Sequence, residues 1–342
     1  MKILHILSTD RLSGAENVHL DILRTLKDEN EVIYASPDGP VREAVESAGV
    51  RFIPFDPESP KNIKKLWKDE KPDVVHAADP RMSFKCAMAG IPFISQLHSN
   101  CPWMKKLCPN SIALRYAAKR AAAVIAVSQS IADEYIFSSS VEDKLRVIPN
   151  TVDREKIVRL AAEPLEKQFD LVFVGRLVEC KRPSMFVDIV DLVSEKIPGV
   201  RAAMVGDGDL RKETEQYIKD KGLSNIELFG FDPNPYKYVS RSKICVVTSS
   251  VEGFGLVAVE AMTLGKPTLA YPVGGLTEIA EKGGDLFTSV EEAADKAQRL
   301  LTDQKLYGEA SRKAELASRE WTDTEKYMEK IKELYAACAA EK

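Results

Sequence analysis

Short apolar runs alternate with segments of helical periodicity from the first residue onward. Met1-Lys2-Ile3-Leu4-His5-Ile6-Leu7 is mostly apolar on both faces, the pattern of a strand buried within a parallel sheet. From Glu16 to about Lys27 the apolar positions recur at helical spacing. Runs of strand character return at Glu31–Ala35, Arg51–Phe55, Asp73–His76, Pro92–Leu97 and Ala122–Val127, and later at Phe169–Val174, Ala202–Val205 and Ile244–Val247. Such alternation predicts an α/β protein with parallel sheets. From Val290 onward only helical patterns remain, over Val290–Thr302, Gln304–Arg319 and Thr322 to about Ala340.

A chain of 342 residues is long for one domain and comfortable for two. The polar stretch between Pro149 and Phe169 is where the first domain should end, giving domains over 1–160 and 161–321. The net charge of −4 leaves no nucleic-acid footprint. No apolar run approaches the ~20 residues needed to span a bilayer, and the opening strand is not expected to be a secretory leader. Six unpatterned cysteines are then expected to be free thiols in a reducing compartment, so the expected location is the cytoplasm. No metal site is expected: His5, His19, His76 and His98 are scattered, and Cys101 and Cys108 lack paired zinc-ligand spacing.

Candidate chemistry concentrates in Ser249 to Met262. A helix should begin near Gly255, after the loop Ser249–Gly255 that follows the apolar run Ile244–Val247. Its first N–H groups have no intrahelical partner and sit at the positive end of the dipole, so they can hold a phosphate. Gly253 and Gly255 let a ligand approach that backbone, with Phe254 and Leu256 beside them. Glu252 stands in the loop and Glu260 about two turns inside the helix, which suits two separate hydroxyl-bearing groups better than a short-range acid/base couple. Upstream, Gly175, Arg176 and Lys181 follow the strand Phe169–Val174, at the sheet edge where open α/β folds bind ligands. Arg176 as a planar fork and Lys181 as a point charge would neutralise a leaving diphosphate. The strand Ala202–Val205 ends in Gly206-Asp207-Gly208, which lacks the third glycine of a dinucleotide fingerprint, and the loop Ser8–Ala15 supplies none either. This argues against a nicotinamide oxidoreductase.

His98 follows the run Pro92–Leu97 and should face an interdomain cleft at the sheet's carboxyl edge. Between Asp79 and Asp133 there is no acidic residue, while Arg81, Lys85, Lys105, Lys106, Arg115, Lys119 and Arg120 all fall there. With Trp103 beside Lys105 and Lys106, this segment reads as a patch for an anionic membrane surface or an anionic acceptor.

Taken in order, Gly175-Arg176-Leu177 with Lys181, Val205-Gly206-Asp207-Gly208, Leu228-Phe229-Gly230-Phe231, Glu252-Gly253-Phe254-Gly255 with Glu260, and Gly274-Gly275 with Glu278 resemble the motif series of retaining glycosyltransferase family 4. The resemblance spans essentially the whole chain. It implies the GT-B fold, two Rossmann-like parallel-sheet domains facing across a cleft, with the last helix returning to the first domain. It implies a retaining, metal-independent hexosyltransferase (class EC 2.4) without a cofactor, moving sugar from a nucleotide-diphosphate sugar to a glycan or lipid-linked acceptor in cell-surface polysaccharide or glycolipid synthesis. A UDP-sugar is the expected donor and GDP-mannose the second. In such enzymes the residues matching Arg176 and Lys181 bind the diphosphate, that matching Glu252 contacts the donor sugar, and that matching Glu260 takes the ribose hydroxyls. Backbone at Phe254, Gly255 and Leu256 cradles sugar and phosphate, Phe231 neighbours the base, and a histidine matching His98 reaches the sugar. Gly14 retains a backbone contact to the donor phosphate, although Ser13 stands where paired glycines are usual. Thr248 replaces a frequent proline, at a place expected to lie off the chemistry. A sugar-nucleotide epimerase of the same fold and a non-catalytic nucleotide-sugar-binding protein are the alternatives, the second disfavoured because Arg176, Lys181, Glu252 and Glu260 are all present. Peripheral membrane contact at the inner face of the cell membrane is a further expectation.

Overall fold

The computed structural model describes residues 1–340 and divides into two compact units. One comprises Met1–Asn150 with the segment from Glu325 onward, the other Thr151–Thr324.

The first unit is built on seven parallel strands: β1 (Lys2–Ile6), β2 (Glu31–Ser36), β3 (Arg51–Pro54), β4 (Val74–Ala77), β5 (Ile94–Leu97), β6 (Ala123–Ala126) and β7 (Leu145–Val147), in the order β3-β2-β1-β4-β5-β6-β7. The order reverses between β1 and β4. β1, β4, β5 and β6 are buried almost throughout, which is why their sequences are apolar rather than alternating. β5 begins at Ile94, two residues inside the expected run from Pro92, because a proline cannot donate to the ladder. β7 is short and half-exposed, with no apolar run to announce it.

The second unit carries β8 (Phe169–Val174), β9 (Ala202–Val205), β10 (Ile226–Gly230), β11 (Ser242–Val247), β12 (Thr268–Ala270) and β13 (Asp285–Leu286), all parallel, in the order β10-β9-β8-β11-β12-β13. Its switch point lies between β8 and β11. Its core joins Leu171 and Phe173 of β8 and Ile244 and Val246 of β11 to Phe186, Ile189, Val190 and Val193 of the helix Pro183–Lys196. β12 and β13, of three and two residues, fall below what periodicity detects.

The division between the units falls after Asn150, earlier than the sequence boundary at 160. The helix Arg154–Ala161 belongs to the second unit, where the Asn234 amide donates to the Leu160 carbonyl at 2.9 Å and the Ser240 hydroxyl to the Ala161 carbonyl at 3.0 Å. Thr151 and Val152 are tied there too, both to the Trp321 carbonyl, at 2.8 and 2.9 Å. The last helix, Thr324–Ala340, packs in the first unit through Tyr327, Met328, Ile331 and Tyr335.

Candidate functional site

Four loops meet at the carboxyl edge of the second sheet. Gly175 N–H donates to the Val205 carbonyl, Leu177 N–H to Asp207, Leu210 N–H to Leu177 and Gly206 N–H to Gly230, all at 2.8–3.0 Å. The approach is so close that a Cβ at Gly206, where φ is +142°, would lie 1.9 Å from the Gly175 carbonyl oxygen. Only glycine fits there. The strands flanking the switch point, β8 and β11, therefore deliver Gly175–Lys181 and Ser249–Gly255 as neighbours.

Within this frame the Lys181 ammonium donates to Glu252 Oε2 at 2.5 Å, and both side chains retain about a fifth of their exposure, 22% and 19%. The Ser249 hydroxyl donates to the same carboxylate oxygen at 3.1 Å. Arg176 is exposed, and its guanidinium makes no hydrogen bond or ion pair among the described residues. The helix Leu256–Thr263 opens at Gly255, whose φ of +109° places it in glycine territory, and no side chain caps it. Its leading N–H groups are therefore left for a ligand or solvent. Gly253, Phe254 and Gly255 are buried and Leu256 half-buried, with Phe254 set edge-on to Trp321. Glu260 lies inside this helix and accepts from the Tyr236 hydroxyl at 3.1 Å. Phe231, just past β10, is 68% exposed. Glu252 is thus held by Lys181 and Ser249, and Glu260 by the Tyr236 hydroxyl.

Several contributors gave no sequence signal. The Thr248 hydroxyl, fully buried, donates to the Lys181 carbonyl at 2.7 Å, so a position expected to lie off the chemistry holds the backbone of a central residue. Arg182 adopts a left-handed φ of +48° that a non-glycine residue avoids, compensated by donation to the Thr248 and Ser249 carbonyls at 2.6 and 3.1 Å and by stacking 3.7 Å above the Tyr271 ring. Ser250 N–H donates to the Cys180 carbonyl at 2.8 Å, completing the seam between the two loops.

In the first unit, Gly14 is the exposed first residue of the helix Gly14–Leu26. The preceding loop folds over buried Glu16, which accepts from the Thr9 hydroxyl at 2.7 Å and from the Ser13 hydroxyl. Ser13 therefore does more than stiffen a loop: it supplies a donor that a glycine could not. His98 is half-buried just past β5, its Nε2 3.1 Å from His19 Nε2, and burial drags its pKa down to about 3. The four histidines, far apart in sequence, are not scattered in space. His5, His19, His76 and His98 adjoin one another, and burial depresses the pKa of each.

The residues expected to form a basic patch are less available than their sequence suggests. Lys105 pairs with Glu134 at 2.8 Å, while Arg81 and Lys85 both engage Glu58, carboxylates from outside the acid-free segment. Arg115 lies over the Phe137 ring at 4.9 Å and Trp103 is half-buried. Lys106 and Lys119 remain exposed, as do Leu107 and Ile112, at 70% and 51%.

Two family models match successive parts of the chain. Residues 12–156 match Glycosyltransferase Family 4, and residues 156–317 match Glycosyl transferases group 1. The chain belongs to this glycosyltransferase family. Among curated relatives, the poly(ribitol-phosphate) alpha-N-acetylglucosaminyltransferase of Staphylococcus aureus is 29% identical over 59% of this chain and 40% of its own length. The sulfoquinovosyl transferase of Arabidopsis thaliana is 26% identical over 79% of this chain and 56% of its own. The matches span from about a third to just over half of the first curated relatives' lengths. Among solved structures, Anabaena HepE in complex with UDP-glucose superposes with a TM-score of 0.86 at 23% identity, covering 98% of this chain and all of that one. That likeness establishes the fold, two Rossmann-like parallel-sheet domains of the GT-B class. Among the described residues of this family member, no helix is long and apolar enough to cross a membrane.

Proposed function

We propose that the chain is a retaining hexosyltransferase that moves a sugar from a nucleotide-diphosphate sugar to a hydroxyl of a glycan or lipid-linked acceptor. The observation that carries this reading is the Lys181–Glu252 contact at the switch point of the second sheet, beside the uncapped start of the helix at Gly255. On donor binding that pair separates in function. Lys181, with Arg176, turns to the diphosphate; Glu252 accepts from sugar hydroxyls, and Glu260 from the ribose hydroxyls that compete with Tyr236. Gly175, Gly253, Phe254, Gly255 and Leu256 supply backbone, and Phe231 covers the base.

The acceptor oxygen attacks the anomeric carbon on the face the diphosphate leaves. The bond from that carbon to the phosphate oxygen breaks as the new glycosidic bond forms, and the acceptor proton passes to the departing phosphate oxygen. Negative charge on the leaving group is met by Arg176, Lys181 and the helix start, which fill the role a divalent ion takes elsewhere. A UDP-sugar is the favoured donor, supported by the UDP-glucose named for the Anabaena structure, with GDP-mannose second. Lys106 and Lys119, with Leu107 and Ile112, are the part of the basic segment that serves an anionic acceptor or membrane surface. The cytoplasm, at or near the inner face of the membrane, and cell-surface polysaccharide or glycolipid synthesis are the setting that fits.

A thermal-shift screen of nucleotide sugars tests the assignment, because a ligand that binds only the folded state raises its melting temperature. A rise with UDP-sugars above that with GDP-mannose is expected. No rise with any nucleotide sugar would overturn it.

A further inference from the structure

The chain has four histidines, and all of them lie in one cluster of the first unit. His5 comes from β1, His76 from β4, His19 from the helix Gly14–Leu26, and His98 from the loop after β5. The first three are fully buried, and their ring centroids form a nearly equilateral triangle with sides of 4.8, 4.7 and 4.7 Å. The rings stand edge-on to one another, at interplanar angles of 69–83°. One potential ligand nitrogen from each lies within 4.8 Å of the other two.

The hydrogen bonds around the triangle divide its six nitrogens unevenly. Tyr335 Oη takes His5 Nε2 at 2.8 Å and His76 Nδ1 at 2.7 Å, and His98 Nε2 takes His19 Nε2 at 3.1 Å. Each ring is thereby held from outside through one nitrogen. The remaining nitrogens, the inner set, are His5 Nδ1 and His19 Nδ1, hydrogen-bonded to each other at 2.8 Å, and His76 Nε2, which is buried without a hydrogen-bond partner among the described residues. The buried Gln96 of β5 has neither of its amide atoms in a well-formed hydrogen bond among the described residues. Three imidazoles each anchored through one nitrogen, with one nitrogen from each within 4.8 Å of the other two and buried polar atoms left unmet among them, have the layout of a metal centre with its supporting shell. As a hydrogen-bonded core alone, the same layout leaves buried polar atoms unmet, at about 1–3 kcal/mol each.

We propose that His5 Nδ1, His19 Nδ1 and His76 Nε2 bind one zinc ion, which ties β1, β4 and the first helix together. Neutral imidazole suits zinc, which takes nitrogen at about 2.0–2.1 Å, so tetrahedral ligands lie about 3.3 Å apart. The fourth position falls to solvent, for which the Gln96 amide is a ready partner. With zinc on the inner nitrogens, the outer ones must carry hydrogen: His5 and His76 both donate to the two lone pairs of Tyr335 Oη, and His19 donates to His98 Nε2. The ion thereby sets the tautomer of His98, leaving its hydrogen on Nδ1.

The full chain, stripped with a chelator and dialysed against zinc chloride, should retain one zinc per chain by elemental analysis. Its melting temperature should rise with zinc and stay unchanged with magnesium. His19→Gln, with a native far-UV circular dichroism spectrum, should lose both the zinc and the rise, while Cys101→Ser/Cys108→Ser keeps them. Should His19→Gln fail to fold, X-ray absorption of the zinc-loaded wild type decides: three imidazole nitrogens support the site and sulfur ligation overturns it. A wild type that takes up no zinc, or a folded His19→Gln that keeps it, would likewise overturn it.

Discussion

The carboxyl edge of the second sheet and the histidine cluster of the first unit are both built where strand order reverses, yet they are made by opposite means. The edge around Lys181 and Glu252 is half-exposed, charged and assembled from contiguous strings of sequence, two loops sewn together by backbone hydrogen bonds. The cluster around His5, His19 and His76 is buried, neutral and assembled from single residues on separate elements. A charged site of the kind proposed for a diphosphate needs solvent access and several adjacent backbone groups, so it leaves motifs. A buried site needs one side chain per element, and its spacing in sequence is set only by the lengths of helices and loops between.

That contrast can be broken most severely at Lys181. Lys181→Ala should lower turnover on the order of 10²–10³-fold, the loss typical of one preorganised charge-stabilising group, with melting nearly unchanged because the side chain is not part of the core. Steady-state donor turnover beside thermal melting would show the split. Gly206→Ala should do the reverse and strike the fold first. A Cβ 1.9 Å from the Gly175 carbonyl, on a backbone of positive φ, should cost about 3 kcal/mol and lower the melting temperature by about 6–10 °C, read by calorimetry. In the cluster, Tyr335→Phe removes the oxygen that anchors His5 and His76, and should cost about 2 kcal/mol, or about 4–8 °C of melting. Thr248→Val should have the smallest effect, a few-fold fall in kcat through displacement of the Lys181 backbone, with KM for the donor scarcely moved.

What the sequence made legible follows the same division. Apolar runs gave β1, β4, β6, β8 and β9 because strands covered on both faces must be apolar, and the three C-terminal helices ended within three residues of where periodicity placed them. β7, β12 and β13 escaped because two or three residues carry no period. Arg176, Lys181, Glu252 and Glu260 could be named as candidates because chemistry and spacing coincide in short strings. Thr248 and Arg182 were not, since their work is to donate hydrogen bonds to carbonyls across a loop seam, which any sequence order could supply. The acid-free segment misled for a related reason: Glu58 and Glu134 lie outside it in sequence and against it in space. The histidines were read as scattered, because their distance in sequence carries no sign that single residues on β1, β4, a helix and a loop meet in one buried cluster.

The central claim is that Lys181 and Glu252, paired with each other at the sheet edge, are the charge pair that a nucleotide-sugar donor divides. The most direct test is turnover of the nucleotide sugar that raises the melting temperature most, compared in wild type and Lys181→Ala with both proteins shown to be folded. The account predicts a loss of at least about a hundredfold in the variant. Turnover within a few-fold of wild type would contradict it.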